Sequence, residues 1–158
     1  MDHDEPGWPL IDDFFRAEAE GRSTATARRY DRVRSRLYDF LDTADMTLGL
    51  GSHCAVLLES ERQFHQTGAF WTLFGVDELA CCLPSFVHET WLPASNGEAR
   101  TQISLVGRLL PRLASSCGRP EAEAAVARAR REVAERPAGE TGSPRMPDRF
   151  RRQEGPRW

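Results

Sequence analysis

Between Ser23 and Asp42, apolar side chains recur at Tyr30, Val33, Leu37, Phe40 and Leu41, a spacing that an α-helix gathers on one side and a strand scatters over two. At about 100° per residue the five occupy an arc of roughly 120° to 220° measured from Arg28, while Arg28, Arg29, Arg32 and Arg36 fall between about 0° and 100°. Ser23 or Thr24 can cap the helix by accepting a first-turn N–H. Such a helix has one face that must be buried and an adjoining face that is cationic. Its buried face needs other helices, and the rest of the chain supplies them.

Pro9 opens a first helix, where its missing N–H costs nothing, and Leu10, Ile11, Phe14 and Phe15 give it an apolar face before Gly21 stops it. A short helix is expected from about Ser52 to Phe64, in a stretch punctuated by Gly49, Gly51, Gly68 and Gly75. Gly68 to Phe74 is aromatic and apolar, and periodicity leaves a strand and a helical turn both open. From Asp77 to about Trp91, Leu79, Cys82, Leu83, Phe86, Val87 and Trp91 share one stripe, with a kink expected at Pro84. After the Asn96-Gly97 turn, the helix Ala99 to Ser115 carries Ile103, Val106, Leu109, Leu110 and Leu113 on one side and Arg100, Arg108 and Arg112 on its polar side, with Pro111 bending or shortening it. Pro120 opens an Ala, Glu and Arg helix to about Arg136, with a narrow stripe of Ala122, Val126, Ala129 and Val133 and a Glu132 to Arg136 pair. The sequence therefore predicts an all-α fold: a small orthogonal bundle of four to five helices over residues 8–116, an Ala-rich helix over 117–136, and a disordered tail over 137–158.

With 158 residues the chain has room for one domain, and 40% hydrophobic against 28% charged residues excludes a fibrous or wholly disordered protein. No apolar run approaches the ~18 to 20 residues of a membrane span, and the start Met1-Asp2-His3-Asp4-Glu5 is acidic where a targeting leader would be basic. A cytoplasmic location without a membrane partner is expected. Cys54, Cys81, Cys82 and Cys117 lack the spacing of a disulfide framework, so free thiols are expected. All 21 basic residues are Arg, a bias that a GC-rich genome produces without selection for one function. Charge is segregated along the chain: residues 21–36 carry six Arg against Asp31, whereas residues 37–98 carry nine acids against Arg62 alone. A local surface can therefore have a sign that the net charge of −3 conceals.

The stretch Leu10-Ile11-Asp12-Asp13-Phe14-Phe15, then Glu20-Gly21-Arg22-Ser23-Thr24-Ala25-Thr26-Ala27-Arg28-Arg29-Tyr30, followed by Leu37 and Phe40-Leu41, resembles the N-terminal core-binding, SAM-like region of tyrosine recombinases, the phage-type integrases. In that pattern a first helix runs into a Gly-Arg-Ser turn, a Thr lies at the start of the second helix and a Tyr follows, places that Thr26 and Tyr30 match. The resemblance covers about residues 8 to 116, with the helices at Asp77 to Trp91 and Ala99 to Ser115 completing the bundle. It implies docking on duplex DNA as an accessory, competitor or remnant of a recombinase. It does not extend to strand cleavage: the only two tyrosines lie in the second helix, and none of His3, His53, His65 or His88 is followed by Arg three residues later. No enzymatic activity is expected.

The residues expected to meet DNA are Arg22, Thr26, Arg28, Arg29, Arg32 and Arg36, with Arg100 and Arg108 as a second line, since guanidinium forks suit phosphates and guanine edges. A solvated helix face neutralised by Glu18, Glu20, Asp31 or Asp39 is the alternative, and Thr26 can be an ordinary first-turn residue. His53, Cys54, His65, Cys81, Cys82 and His88 are ligand types without ligand spacing, so no metal, cofactor or small-molecule substrate is expected. Phe70, Trp71, Phe74 and Trp91 read as core rather than as a partner patch. A competing function remains open: a helical protein-interaction module that uses the acidic middle and the Ala/Val stripe of the last helix. The two readings predict different surfaces, an exposed unneutralised Arg ridge or an exposed apolar patch.

Overall fold

A computed structural model describes residues 7–113 and 118–137, and every regular element among them is helical. In chain order these are α1 (Gly7–Ala19), α2 (Thr24–Thr43), α3 (Thr47–Arg62), α4 (Ala69–Leu73), α5 (Val76–Phe86), α6 (Asn96–Leu109) with a 3₁₀ turn at Leu110–Leu113, and α7 (Arg119–Glu135). None of these helices is long and apolar enough to cross a membrane.

The bundle is organised around α2. Ser23 caps it by accepting the Thr26 N–H at 3.2 Å, and the five side chains that the periodicity singles out, Tyr30, Val33, Leu37, Phe40 and Leu41, are the ones it buries. Phe40 packs against Phe86 and Trp91, with ring centroids 5.2 and 5.1 Å away, and each such fully buried side chain contributes about 1.5–3 kcal/mol. α1 lies along one flank of α2 and contributes Ile11, Phe14 and Phe15, while α6 lies along the other and contributes Ala99, Ile103 and Val106. At the far end of α2 the nearly buried Arg62 donates to the carbonyls of Leu41 and Ala44, both at 2.8 Å, so a cation from α3 satisfies groups that a helix terminus leaves open.

Several boundaries differ from the expected ones. α3 begins at Thr47 rather than Ser52, and its first turn is kinked from the rest at Gly51, whose φ of 81° suits glycine. Gly49 lets this first turn lie against α5: a Cβ there would come 2.7 Å from the Cys81 carbonyl oxygen. The ambiguous stretch after Gly68 is helical, and it buries Ala69, Phe70 and Trp71. α5 stops at Phe86 instead of Trp91, and a side chain from α6 takes up the carbonyls of these two residues. Gln102, wholly buried, donates Nε2 to Phe86 O at 2.9 Å and to Trp91 O at 3.1 Å. α6 starts earlier than expected, with Ser95 as its cap, and Pro111 shortens it into the 3₁₀ turn.

α7 is not an appendage. It packs on α5 and α6 and adds Ala122, Ala125, Val126, Ala129 and Val133 to the same core. Instead of pairing with Glu132, Arg136 donates to Pro93 O at 2.9 Å and pins the end of α7 to the α5–α6 connection. The expected tail lies outside the described residues from position 138 onward, as do residues 114–117 of the expected Ala99 to Ser115 helix and its connection to α7.

Candidate functional site

The arginines of α2 are divided between its two neighbours. On the α6 side, Glu98 of α6 is the common partner: Arg32 donates to it, Arg36 approaches it at 3.5 Å and Arg29 at 3.7 Å. Glu98 stands three residues after the cap Ser95, the place where a capping-box carboxylate turns back to its own helix start, but here it reaches across to α2. Arg36 also donates Nε to Gln102 Oε1 at 2.7 Å, so the buried amide joins α2, α5 and α6 through one side chain. The Arg32 hydrogen bond, helped by the neighbouring guanidinium charges, holds the Glu98 carboxyl below its ordinary range against a desolvation effect of opposite sign. Burial lowers the Arg36 guanidinium despite Glu98.

On the α1 side, Asp12 accepts from the Tyr38 hydroxyl and from Arg34 at 3.4 Å, and Arg34 pairs with Asp31 at 2.7 Å. Burial and then the Asp12 hydrogen bond push the Tyr38 hydroxyl well above its usual range. Arg108 of α6 pairs with Glu18 of α1 at 2.8 Å and lies over the Tyr30 ring at 5.8 Å. Of the residues expected to meet DNA, the structure brings Arg29, Arg32 and Arg36 together, but around a carboxylate, and engages Arg108 elsewhere. Arg100 sits about 200° from Glu98 on the wheel of α6, turned away from α2. Thr26 contributes its N–H to the Ser23 cap, and its own hydroxyl accepts from Ser23 at 3.0 Å. Arg22, Arg28 and Arg100 form no ion pair among the described residues.

Among the described residues, the acid with which the cationic face is paired is not one of the expected neighbours. Glu18 pairs with Arg108 and Asp31 with Arg34, neither of them on that face, and the partner of Arg29, Arg32 and Arg36 is Glu98, 66 residues from Arg32. The Ser95-x-x-Glu98 pattern signals a helix start, yet nothing local says which helix its carboxylate will meet.

A second feature was not singled out by the sequence. The large apolar side chains left exposed among the described residues are Leu48, Val56, Leu57, Phe64 and Leu73, all on α3, α4 and the segment between them. Past the Gly51 kink α3 has apolar residues on both sides. Leu58 faces the core, and measured from it Val56, Ser60, His53 and Leu57 fall at about 160°, 200°, 220° and 260°. Phe64, 80% exposed, follows Leu57 by seven residues just beyond the helix, with its N–H bonded to Glu61 O at 3.0 Å. A helix apolar all round is ordinarily covered on both sides; here Val56 is 65% and Leu57 45% exposed. The expected Ala/Val contact stripe of α7, by contrast, is consumed by the core, as are Phe70 and Trp71.

The described residues hold no group of three His, Cys, Asp or Glu side chains placed to hold a metal. Cys82 is buried beneath α5, and desolvation pushes its thiol up to about 12. An open groove of about 830 Å³ runs between α3, α5 and α7, bordered by Leu48, Pro84, Trp91 and Arg128. No protein-family model matches the chain, and neither a curated protein nor a solved structure does.

Proposed function

We propose that this chain is a non-catalytic helical module that binds a protein partner through the outer face of α3. The observation that carries the reading is the contrast between the two candidate surfaces. On the cationic face of α2, Arg29, Arg32 and Arg36 are drawn to Glu98 and Arg36 also to Gln102, whereas Val56, Leu57 and Phe64 form an apolar strip that is left largely exposed. The direct test replaces Val56, Leu57 and Phe64 by Ser and uses wild type and variant as baits in the same cell extract. Because the three side chains are exposed, the variant keeps its thermal midpoint, and proteins retained by the wild type are lost from the variant. Identical sets of captured proteins refute the reading.

A second reading, docking on duplex DNA as the likeness to recombinase core-binding domains implies, is favoured by one specific feature. Three guanidiniums share one carboxylate, so the Arg29, Arg32 and Arg36 cluster keeps a positive excess, and Arg28 beside it has no ion pair among the described residues. In this reading the chain assists or competes with a full recombinase. Fluorescence anisotropy on a duplex across a salt series decides it: changing Arg28, Arg32 and Arg36 to Ala flattens a steep negative salt slope by about two to three units, at roughly 0.9 per phosphate contact. Absence of binding at low salt, where any exposed cationic ridge registers, refutes it.

A further inference from the structure

We infer that the partner of α3 is a cationic amphipathic helix. The inference rests on the reading of α3 as a contact surface and goes on to say what that surface selects. Its basis is the charge around the strip. Between residues 37 and 97 the chain carries eight acids and one cation, Arg62, and all of these residues are described. The Arg62 side chain is only 10% exposed, with its guanidinium committed to the carbonyls of Leu41 and Ala44 and to Glu59. Residues 37–97 therefore contribute no exposed Arg or Lys of their own, and the cation nearest the first turn of α3 is Arg128 of α7, across the groove from Leu48. The acids of these residues disfavour phosphate, and with it nucleic acid and an anionic lipid surface, and favour a segment of the opposite sign.

Placement refines the argument. Measured from Leu58, Glu59 lies at about 100° and Glu61 at about 300°, so one carboxylate borders each long edge of the strip formed by Val56, Ser60, His53 and Leu57. That is the arrangement of a helix-pairing seam, in which an apolar centre supplies cohesion and flanking charges choose the partner. From His53 to Phe64 the strip runs about 17 Å at 1.5 Å per residue, so a complementary helix needs roughly three turns with apolar residues at i, i+3, i+4 and i+7 and Arg or Lys beside them. A second copy of the same face brings its own Glu59 and Glu61 against these two and is disfavoured.

The test uses three synthetic peptides of equal length: a Leu-faced helix with Lys at its polar positions, the same helix with Glu in place of Lys, and a scrambled Lys peptide with no apolar face. Binding to the full chain is read by anisotropy at low and at physiological salt. The cationic amphipathic peptide binds at least tenfold more tightly than either other peptide. Its affinity falls at least tenfold in the Val56→Ser, Leu57→Ser, Phe64→Ser variant, and its salt dependence weakens in Glu59→Gln, Glu61→Gln. Equal binding of the Lys and Glu helices overturns the charge selection while leaving α3 as the contact. Equal binding of the scrambled peptide, insensitive to the Ser changes, overturns docking on the strip. If no peptide binds, the inference falls, and the bait comparison separately decides whether α3 is a contact surface. An α3-dependent dimer in sedimentation of the chain alone overturns the inference in favour of a second copy.

Discussion

Gln102→Leu isolates the central polar joint of the fold. The wild-type amide makes three hydrogen bonds: Nε2 to Phe86 O and Trp91 O, and Oε1 from Arg36 Nε. Two neutral bonds contribute about 1 kcal/mol each and a bond to a charged group about 1.5–3, so the gross loss is about 3.5–5 kcal/mol. Leucine is close in volume and fits without opening a cavity, and its greater apolar burial offsets about 1–2 kcal/mol of that loss. A net destabilisation of about 2–4 kcal/mol remains. In urea, with a slope of roughly 2 kcal/mol per molar, the midpoint moves down by about 1–2 M. Tryptophan fluorescence is a suitable readout, since Trp91 is itself one of the joined residues and Trp8 and Trp71 pack together 5.9 Å apart. Arg36→Met in the same background adds less than it does in wild type, because its Gln102 partner is already gone; the expected coupling is about 1 kcal/mol. A midpoint shift below about 0.3 M at unchanged slope, or full additivity with Arg36→Met, refutes the assignment of Gln102 as the joint.

Three further outcomes follow from the same structure. Glu98 is held below the ordinary carboxylate value of 4.5, so the stability it supplies is complete above that value and is lost as pH falls through the lower folded value; the gap in denaturation midpoint between wild type and Glu98→Gln therefore closes in acid, and a gap independent of pH contradicts this. With its thiol pushed up to about 12 and its side chain enclosed, Cys82 is inert in the native state, so Cys82→Ser leaves the number of thiols reacting with a chromogenic disulfide in mildly alkaline buffer unchanged; a loss of one shows the burial to be wrong. Gly49→Ala forces a methyl group to within 2.7 Å of the Cys81 carbonyl and costs about 1–3 kcal/mol, read as a lowered thermal midpoint, whereas an unaltered midpoint shows that α3 and α5 are not so close.

Local pattern carried the fold a long way. All five core residues of α2 are those of its apolar arc, Pro111 does shorten α6, and Cys82, Phe70 and Trp71 are interior. What local pattern could not supply was the partner of each polar group. The apolar stripe continues past Phe86, so periodicity extends α5 to Trp91; the helix stops at Phe86, whose carbonyl is met by Gln102, 16 residues away. The same applies to the arginine face, whose charge is obvious in the sequence and whose main counter-charge comes from a helix that only folding places beside it. α3 is the opposite case: its apolar residues lie on two opposite sides, so no single amphipathic stripe marks which side goes inward, and its uncovered side becomes visible only once Leu58 is seen to face the core.

The closure of the core by α7 has a consequence for how the chain comes into being. Ala122, Val126, Ala129 and Val133 are the last pieces of the interior, and they cover α5 and α6. During synthesis the first six helices can emerge and collapse, but their apolar floor stays open until the ribosome has released Arg119–Glu135. A product that stops before this helix leaves uncovered the faces of α5 and α6 on which α7 packs, and exposed apolar surface of that kind draws proteases and chaperones. The seventh helix is thus the step at which the interior of the first six becomes enclosed.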